Sequence, residues 1–173
     1  SISMPPMSAL YVHSILKKKK CLIKYSKKIL PEKELKEFDY IILPSSIIAH
    51  ETEIKILNYL NTLNVKIFVI GIFANVKKNI YSVQNSYVIN GEPENFFLKN
   101  DLNKINLDKF FSKTAYNLEQ NYENFVQNLD DLPYPSWDEY LKEYPLKNNF
   151  LSFNNKTAIP ILATRGCPYS CFN

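Results

Sequence analysis

Glycine is scarce in this sequence, and its scarcity excludes the phosphate-binding loops that depend on it. Only three glycines occur among 173 residues, and they are Gly71, Gly91 and Gly166. A G-x-G-x-x-G loop needs closely spaced glycines, because its backbone must turn tightly and approach the phosphates. The chain therefore has no dinucleotide-binding loop of this kind.

Other absences exclude further classes of protein. No run of 18 apolar residues occurs, so we predict no membrane span. The opening Ser-Ile-Ser-Met-Pro-Pro lacks the basic and then apolar order of a signal peptide, and only three cysteines occur. Both features predict a cytoplasmic protein with reduced thiols rather than a disulfide scaffold. The sequence contains neither a Ser/His/Asp arrangement nor a carboxylate pair placed for acid–base catalysis.

The composition predicts a folded domain without a nucleic-acid partner. The chain is 46% hydrophobic and 14% aromatic, with a net charge of +4. Its lysine run, residues 17–20, follows an apolar helical pattern and is expected at a helix C-terminus, where the helix dipole favours cations. The aromatic residues between 100 and 128 are expected to pack the edge of the domain rather than to stack on single-stranded nucleic acid.

Strand and helix patterns alternate along the chain, which is typical of a parallel α/β layer. Helices are predicted at about residues 6–19 and 51–63, and strands at 22–25, 38–43, 65–71 and 87–89. The runs at 40–43 and 66–70 resemble strands that are buried on both faces of a parallel sheet. We expect them to be adjacent, parallel and central in a doubly wound sheet, joined by a right-handed crossover.

Two cysteines, Cys167 and Cys171, follow a predicted strand at residues 159–163. Gly166 allows a sharp turn after this strand and Pro168 stiffens the loop, so that both sulfurs face one way. Two thiolates at C-x-x-x-C spacing suit one soft metal or cluster. A cluster or a structural zinc needs more ligands, so we expect a third ligand just past residue 173. A disulfide, a zinc site and two idle thiols are the alternatives.

The phrase Thr-Arg-Gly-Cys-Pro-Tyr-Ser-Cys at residues 164–171 resembles the cluster loop of the radical S-adenosylmethionine enzymes, which is C-x-x-x-C-x-x-C after the first strand of a barrel. The resemblance implies that Cys167 and Cys171 each bind one iron of a [4Fe–4S] cluster. It also implies that S-adenosylmethionine binds a further iron and is cleaved reductively to a 5′-deoxyadenosyl radical. The implied partners are an external electron donor, such as flavodoxin or ferredoxin, and a small-molecule or biosynthetic-intermediate substrate.

Four further phrases, in order, resemble the cobalamin-binding-type domain that precedes this barrel in one large group of these enzymes. They lie at residues 4–11, 69–71, 87–94 and 128–138, and the closest match is Tyr-Val-Ile-Asn-Gly-Glu-Pro-Glu at 87–94. The resemblance implies a cobalamin-type α/β domain at 1–127, a linker at 128–157, and the first strand and cluster loop of a partial barrel at 158–173. It implies radical chemistry on an unactivated carbon, such as methyl transfer from methylcobalamin. The family's first strand is expected upstream or trimmed.

Candidate cofactor-binding residues lie where the predicted strands end, since open α/β sheets bind ligands there. They are Ser45, Ser46, His50, Gly71, Gly91 and Glu92. Hydroxyls and helix N-termini suit a phosphate or corrin amides, but plain N-capping by the serines and a structural turn at 91–94 explain the same residues. The D-x-H-x-x-G cobalt-ligand motif is absent, and His13 is expected to pack rather than to ligate. The alternative function is therefore a docking or substrate-presenting module without cobalamin.

Overall fold

The computed structural model describes residues 6–114, 124–144, 152–153 and 156–157, together with Ile159, Ile161 and Arg165. Its helices are α1 (Met7–Lys18), α2 (Glu32–Leu35), α3 (His50–Thr62), α4 (Ile72–Val76), α5 (Lys78–Tyr81), α6 (Pro93–Lys99), α7 (Leu107–Thr114) and α8 (Trp137–Glu143). Its strands are β1 (Tyr40–Pro44), β2 (Lys66–Ile70), β3 (Ser86–Val88), β4 (Ser152–Phe153) and β5 (Lys156–Thr157). The predicted strand at 159–163 and both cysteines of the predicted cluster loop fall outside these residues, apart from the positions 159 and 161.

The three longer strands form a parallel sheet in the order β1–β2–β3. Tyr40 lies opposite Lys66 and Pro44 opposite Ile70, with α3 as the connection between the two strands. The predicted α/β class and the parallel pairing of these two strands are confirmed. The central position of β1 is wrong for the described sheet, because β1 pairs on one side only. A continuous apolar run indicates that both faces of a strand are covered, but it does not distinguish an edge strand from a central strand.

The strand predicted at residues 22–25 is also wrong, since these residues have no regular structure. Leu22 is 93% exposed, whereas the side chain of Ile23 packs against the core. A short apolar run becomes a strand only when a neighbouring edge accepts its hydrogen bonds. Within the described residues no strand pairs with 22–25.

The sheet is covered on both faces, because successive side chains of β2 point in opposite directions. Phe68 and Ile70 belong to a core shared with α1, α6 and α7. Ile67 and Val69 belong to a second core, shared with α3, α4 and α5. Helices therefore lie on both faces of the three-stranded parallel sheet, which is compatible with the predicted Rossmann-like fold. The packing of residues 100–128 is confirmed where it is described, since Phe110 and Phe111 lie against the first core.

Helix α8 lies within the predicted linker and packs against α1. Tyr140 is fully buried in a cluster with Leu10, and the backbone N–H of Ser136 donates to Leu10 O at 3.2 Å. His13 is 4% exposed and its Nδ1 lies 2.8 Å from Ser136 Oγ, so its predicted packing role is confirmed. The segment that contains Ser136 and α8 is thus packed against α1. None of the described helices is long and apolar enough to cross a bilayer.

Candidate functional site at the carboxyl ends of the strands

The loops that follow the three parallel strands meet at one edge of the sheet, as the topology requires. The backbone N–H of Ser45, just after β1, donates to Ile70 O at 2.7 Å. The amide of Asn75 donates to Gly71 O at 3.1 Å and to Gly91 O at 3.4 Å. The structure therefore brings Ser45, Gly71 and Gly91 together, as the sequence predicted.

Ser45 and Gly71 are packed against each other without space for a ligand between them. Gly71 has φ +113°, and a Cβ there would lie 2.8 Å from Ser45 Oγ. The same hydroxyl accepts a hydrogen bond from the backbone N–H of Ala74, in the first turn of α4, at 3.0 Å. Ser45 thus stabilises the start of α4 from the neighbouring loop, and Gly71 permits the close approach.

Ser46 is held by a buried carboxylate that the sequence analysis did not select. Glu53 is 7% exposed and accepts from the Ser46 N–H at 2.9 and 3.1 Å and from the Ser46 hydroxyl at 2.9 Å. The Tyr81 hydroxyl donates to the same carboxylate at 2.6 Å. Ser46 Oγ in turn accepts from the Ala49 N–H at 3.1 Å, which closes the turn that precedes α3. Among the described residues no side-chain hydrogen bond caps α3, so the N-capping considered for Ser46 is not its role. The sequence signal that could have identified Glu53 is that a glutamate occupies a core-facing position of the predicted helix.

His50 is the first residue of α3, and one of its ring nitrogens makes a hydrogen bond. Its Nδ1 lies 2.9 Å from Ile47 O, and because a carbonyl only accepts, Nδ1 carries the proton. The ring packs on Phe73 with a centroid distance of 5.3 Å. With Nδ1 engaged in this hydrogen bond, Nε2 is the ring nitrogen that a metal or ligand would use.

Gly91 and Glu92 are covered by the chain itself. Gly91 has φ +77°, and a Cβ there would lie 2.5 Å from both the carbonyl oxygen and Cβ of Asn124. The Glu92 N–H donates to Asn124 O at 3.0 Å, and the Val126 N–H donates to Glu92 Oε2 at 2.7 Å. The turn after β3 is thus a binding site for residues 124–126. Pro93 and Glu94 then open α6, as the structural account of this turn expects.

Arg165 joins the C-terminal phrase to this turn, and the sequence analysis missed it. Its Nη1 donates to Glu92 Oε1 and its Nη2 to Glu94 Oε1, each at 3.1 Å. The three side chains are 18%, 19% and 1% exposed respectively. The guanidinium also lies 5.0 Å from the ring centroid of Tyr11 in α1. Opposite charges were visible in the sequence, but nothing in it placed them together.

Glu94 is a buried carboxylate of this edge, and its pKa is raised. Burial raises the pKa of its carboxyl group, while its own backbone N–H, Arg165 and the hydroxyl of Ser8 lower it in part. Its Oε2 is buried without a hydrogen-bond partner in the described part of the chain. The backbone N–H of Glu94 and the guanidinium of Arg165 therefore both offset the burial of this negative charge.

The predicted cofactor-binding residues mostly contact other groups of the protein rather than solvent. The hydroxyls of Ser45 and Ser46 bond to protein groups, and Gly91 is in contact with Asn124. These contacts do not favour cobalamin at this edge. Aliphatic side chains do lie exposed here, on the loop after β1 and on α4: Ile47, Ile48, Ile72 and Val76, at 69%, 94%, 84% and 70%. An open cleft of about 300 Å³ lies at the opposite ends of the strands, beside Asp39 and Lys66.

The predicted metal ligands Cys167 and Cys171 lie outside the described residues. Within the described part, Cys21 is an exposed free thiol and no three His, Cys, Asp or Glu side chains are grouped to hold a metal. No protein-family model, curated protein or solved structure matches the chain.

Proposed function

We propose that this chain is part of a radical S-adenosylmethionine enzyme, in which Cys167 and Cys171 hold two irons of a [4Fe–4S] cluster. One observation carries the proposal. Two of the phrases on which the resemblance rests, at residues 87–94 and 164–171, are in contact through Arg165, Glu92 and Glu94. Glu94 and Glu92 precede Arg165 by 71 and 73 residues in the sequence, so it is the fold that brings the two phrases into contact.

The donor set suits this cofactor. Two thiolates on a turn are ligands for iron–sulfur clusters, and the remaining ligands would come from a further cysteine and from S-adenosylmethionine. The bound cluster would supply the electron that cleaves S-adenosylmethionine to a 5′-deoxyadenosyl radical, with flavodoxin or ferredoxin as the external donor. This chain's own residues would bind iron through two sulfurs and fix the start of the loop through Arg165.

For the α/β domain we propose a docking role, in which its carboxyl edge supports the cluster loop. The inward bonds of Ser46 to Glu53 and the cover of Asn124 on Gly91 support this role. Cobalamin binding with methyl transfer is the competing proposal, supported by the exposed aliphatic side chains of the same edge. Titration with hydroxocobalamin separates them. Unchanged corrin absorption bands at high micromolar protein agree with docking, and shifted bands show cobalamin binding.

Iron analysis tests the cluster ligands. After anaerobic reconstitution of the full-length protein we expect about four irons per chain and a broad absorption near about 400 nm, as thiolate-bound clusters give. C167A and C171A should each lose both signals. The exposed Cys21 offers a matched control, because C21A should keep them. Full iron content in C167A or C171A would contradict the assignment.

A further inference from the structure

We propose that Arg165, Glu92 and Glu94 form a positioning clamp that fixes the chain immediately before Cys167. The name "Arg165 clamp" is used below for these three residues. The clamp itself follows from the contacts of the described residues. Its consequence for an iron–sulfur cluster rests on the function proposed above.

The geometry of the clamp restricts both the place and the direction of Arg165. The two terminal nitrogens of one guanidinium bind two different carboxylates, each at 3.1 Å. Because the guanidinium is planar and rigid, two simultaneous bonds fix its orientation as well as its position. A lysine has a single point of charge and cannot reproduce this arrangement.

The two carboxylates are themselves held by the fold. Glu92 Oε2 accepts from the Val126 N–H at 2.7 Å, which leaves Oε1 to receive Arg165. Glu94 lies in the first turn of α6 and is 1% exposed, so its side chain has little freedom. The Tyr11 ring supports the guanidinium from α1 at 5.0 Å. The clamp therefore connects Arg165 to α1, to α6 and to the segment after residue 123.

Cys167 is two residues beyond Arg165 in the sequence. A chain spans at most about 3.6 Å per residue, so the Cα atom of Cys167 lies within about 7 Å of that of Arg165. Without the clamp, Arg165 would no longer be tied to the turn after β3, and the position of Cys167 relative to that turn would lose this restraint. A metal site requires ligands that are held by their surroundings, and here the surroundings are the turn after β3.

Limited proteolysis of the 173-residue chain tests the clamp without any cofactor. Trypsin cleaves after arginine, and a guanidinium bound to two carboxylates must leave them before it can enter the protease. When opening is fast, the cleavage rate follows the population of the open form. We expect the double variant E92Q/E94Q to release the peptide 166–173 about tenfold faster than the wild type, measured by mass spectrometry. R165K should also be cleaved faster at position 165.

Controls separate the clamp from general destabilisation. E139Q removes a carboxylate from the exposed Lys142 pair and should leave the cleavage rate unchanged. Far-UV circular dichroism establishes that each variant is folded. If E94Q fails to fold, E92Q alone, at the more exposed carboxylate, takes its place. Equal release of 166–173 from the folded glutamine variants and from the wild type would overturn the clamp.

The link to the cluster has a separate readout in the full-length protein. For R165A we expect the rate of reductive cleavage of S-adenosylmethionine to fall about tenfold per bound cluster. R165K should recover part of this rate, because lysine keeps the positive charge but cannot bind two carboxylates with the planar geometry of a guanidinium. An unchanged rate per cluster in R165A would overturn the positioning role. If the wild type assembles no cluster while the proteolysis result holds, the proposed function fails and the clamp remains.

Discussion

Gly91 lies where the turn after β3 meets the segment that resumes at residue 124. Its φ of +77° is in the left-handed region, and the space where a side chain would begin is occupied by Asn124. Both conditions favour glycine, the first through backbone strain and the second through the close approach of another backbone. A single residue thus permits the contact that covers the candidate site.

Replacing Gly91 by alanine should destabilise the protein. The new Cβ would lie 2.5 Å from the Asn124 carbonyl oxygen, and the left-handed backbone adds strain, so we expect a loss on the order of 2 kcal/mol or more in the free energy of unfolding. Urea denaturation followed by circular dichroism measures it. Q84A, in an exposed turn nearby, is the control and should change the stability by less than about 0.5 kcal/mol. A G91A variant as stable as this control would show that residues 124–126 do not bind here.

At the scale of elements, α7 is attached to β3 by a polar and an aromatic contact. The Tyr87 hydroxyl donates to Asp108 Oδ1 at 2.7 Å, and the Tyr87 and Phe111 rings have centroids 5.1 Å apart. Burial and the hydrogen bond to Asp108 raise the pKa of Tyr87 from 10.0 to about 12. The folded protein therefore keeps this proton at a pH where the unfolded chain loses it.

The stability should consequently depend on pH through Tyr87. Between pH 10 and about 12 the folded state binds one proton more than the unfolded state at this side chain, so its contribution to stability decreases as the pH rises. In Y87F this dependence is absent, and the advantage of the wild type over Y87F should shrink across that interval. Parallel urea titrations of the two proteins at several pH values measure the difference. A difference that stays constant or grows would contradict the raised pKa.

The elements differ in how well the sequence predicted them. The stretches 40–44 and 66–70 were predicted correctly, because each is a short apolar run between polar turns and each has the other as its partner in the sheet. Residues 22–25 have a similar run but no strand neighbour in the described residues, and pairing is a property of two segments rather than one. The edge position of β1 escaped prediction for the same reason.

At the scale of the whole molecule, the carboxyl edge of the sheet is joined to the C-terminal phrase by contacts that are distant in sequence. The sequence predicted that Ser45, Gly71 and Gly91 would meet, because parallel strands place their ends together. It did not predict Glu53 beneath Ser46 or Arg165 between Glu92 and Glu94. Ion pairs between segments 71 and 73 residues apart leave no local pattern, and only the folded backbone defines which charges meet.

Reductive cleavage of S-adenosylmethionine is the chemistry that tests the proposed function most directly. The full-length protein, reconstituted anaerobically, would be incubated with dithionite and S-adenosylmethionine, and 5′-deoxyadenosine would be quantified by mass spectrometry. We expect 5′-deoxyadenosine to form in the wild type and in C21A, and to be absent in C167A and C171A. A wild-type preparation that holds about four irons per chain but forms no 5′-deoxyadenosine would contradict the assignment of radical chemistry to this protein.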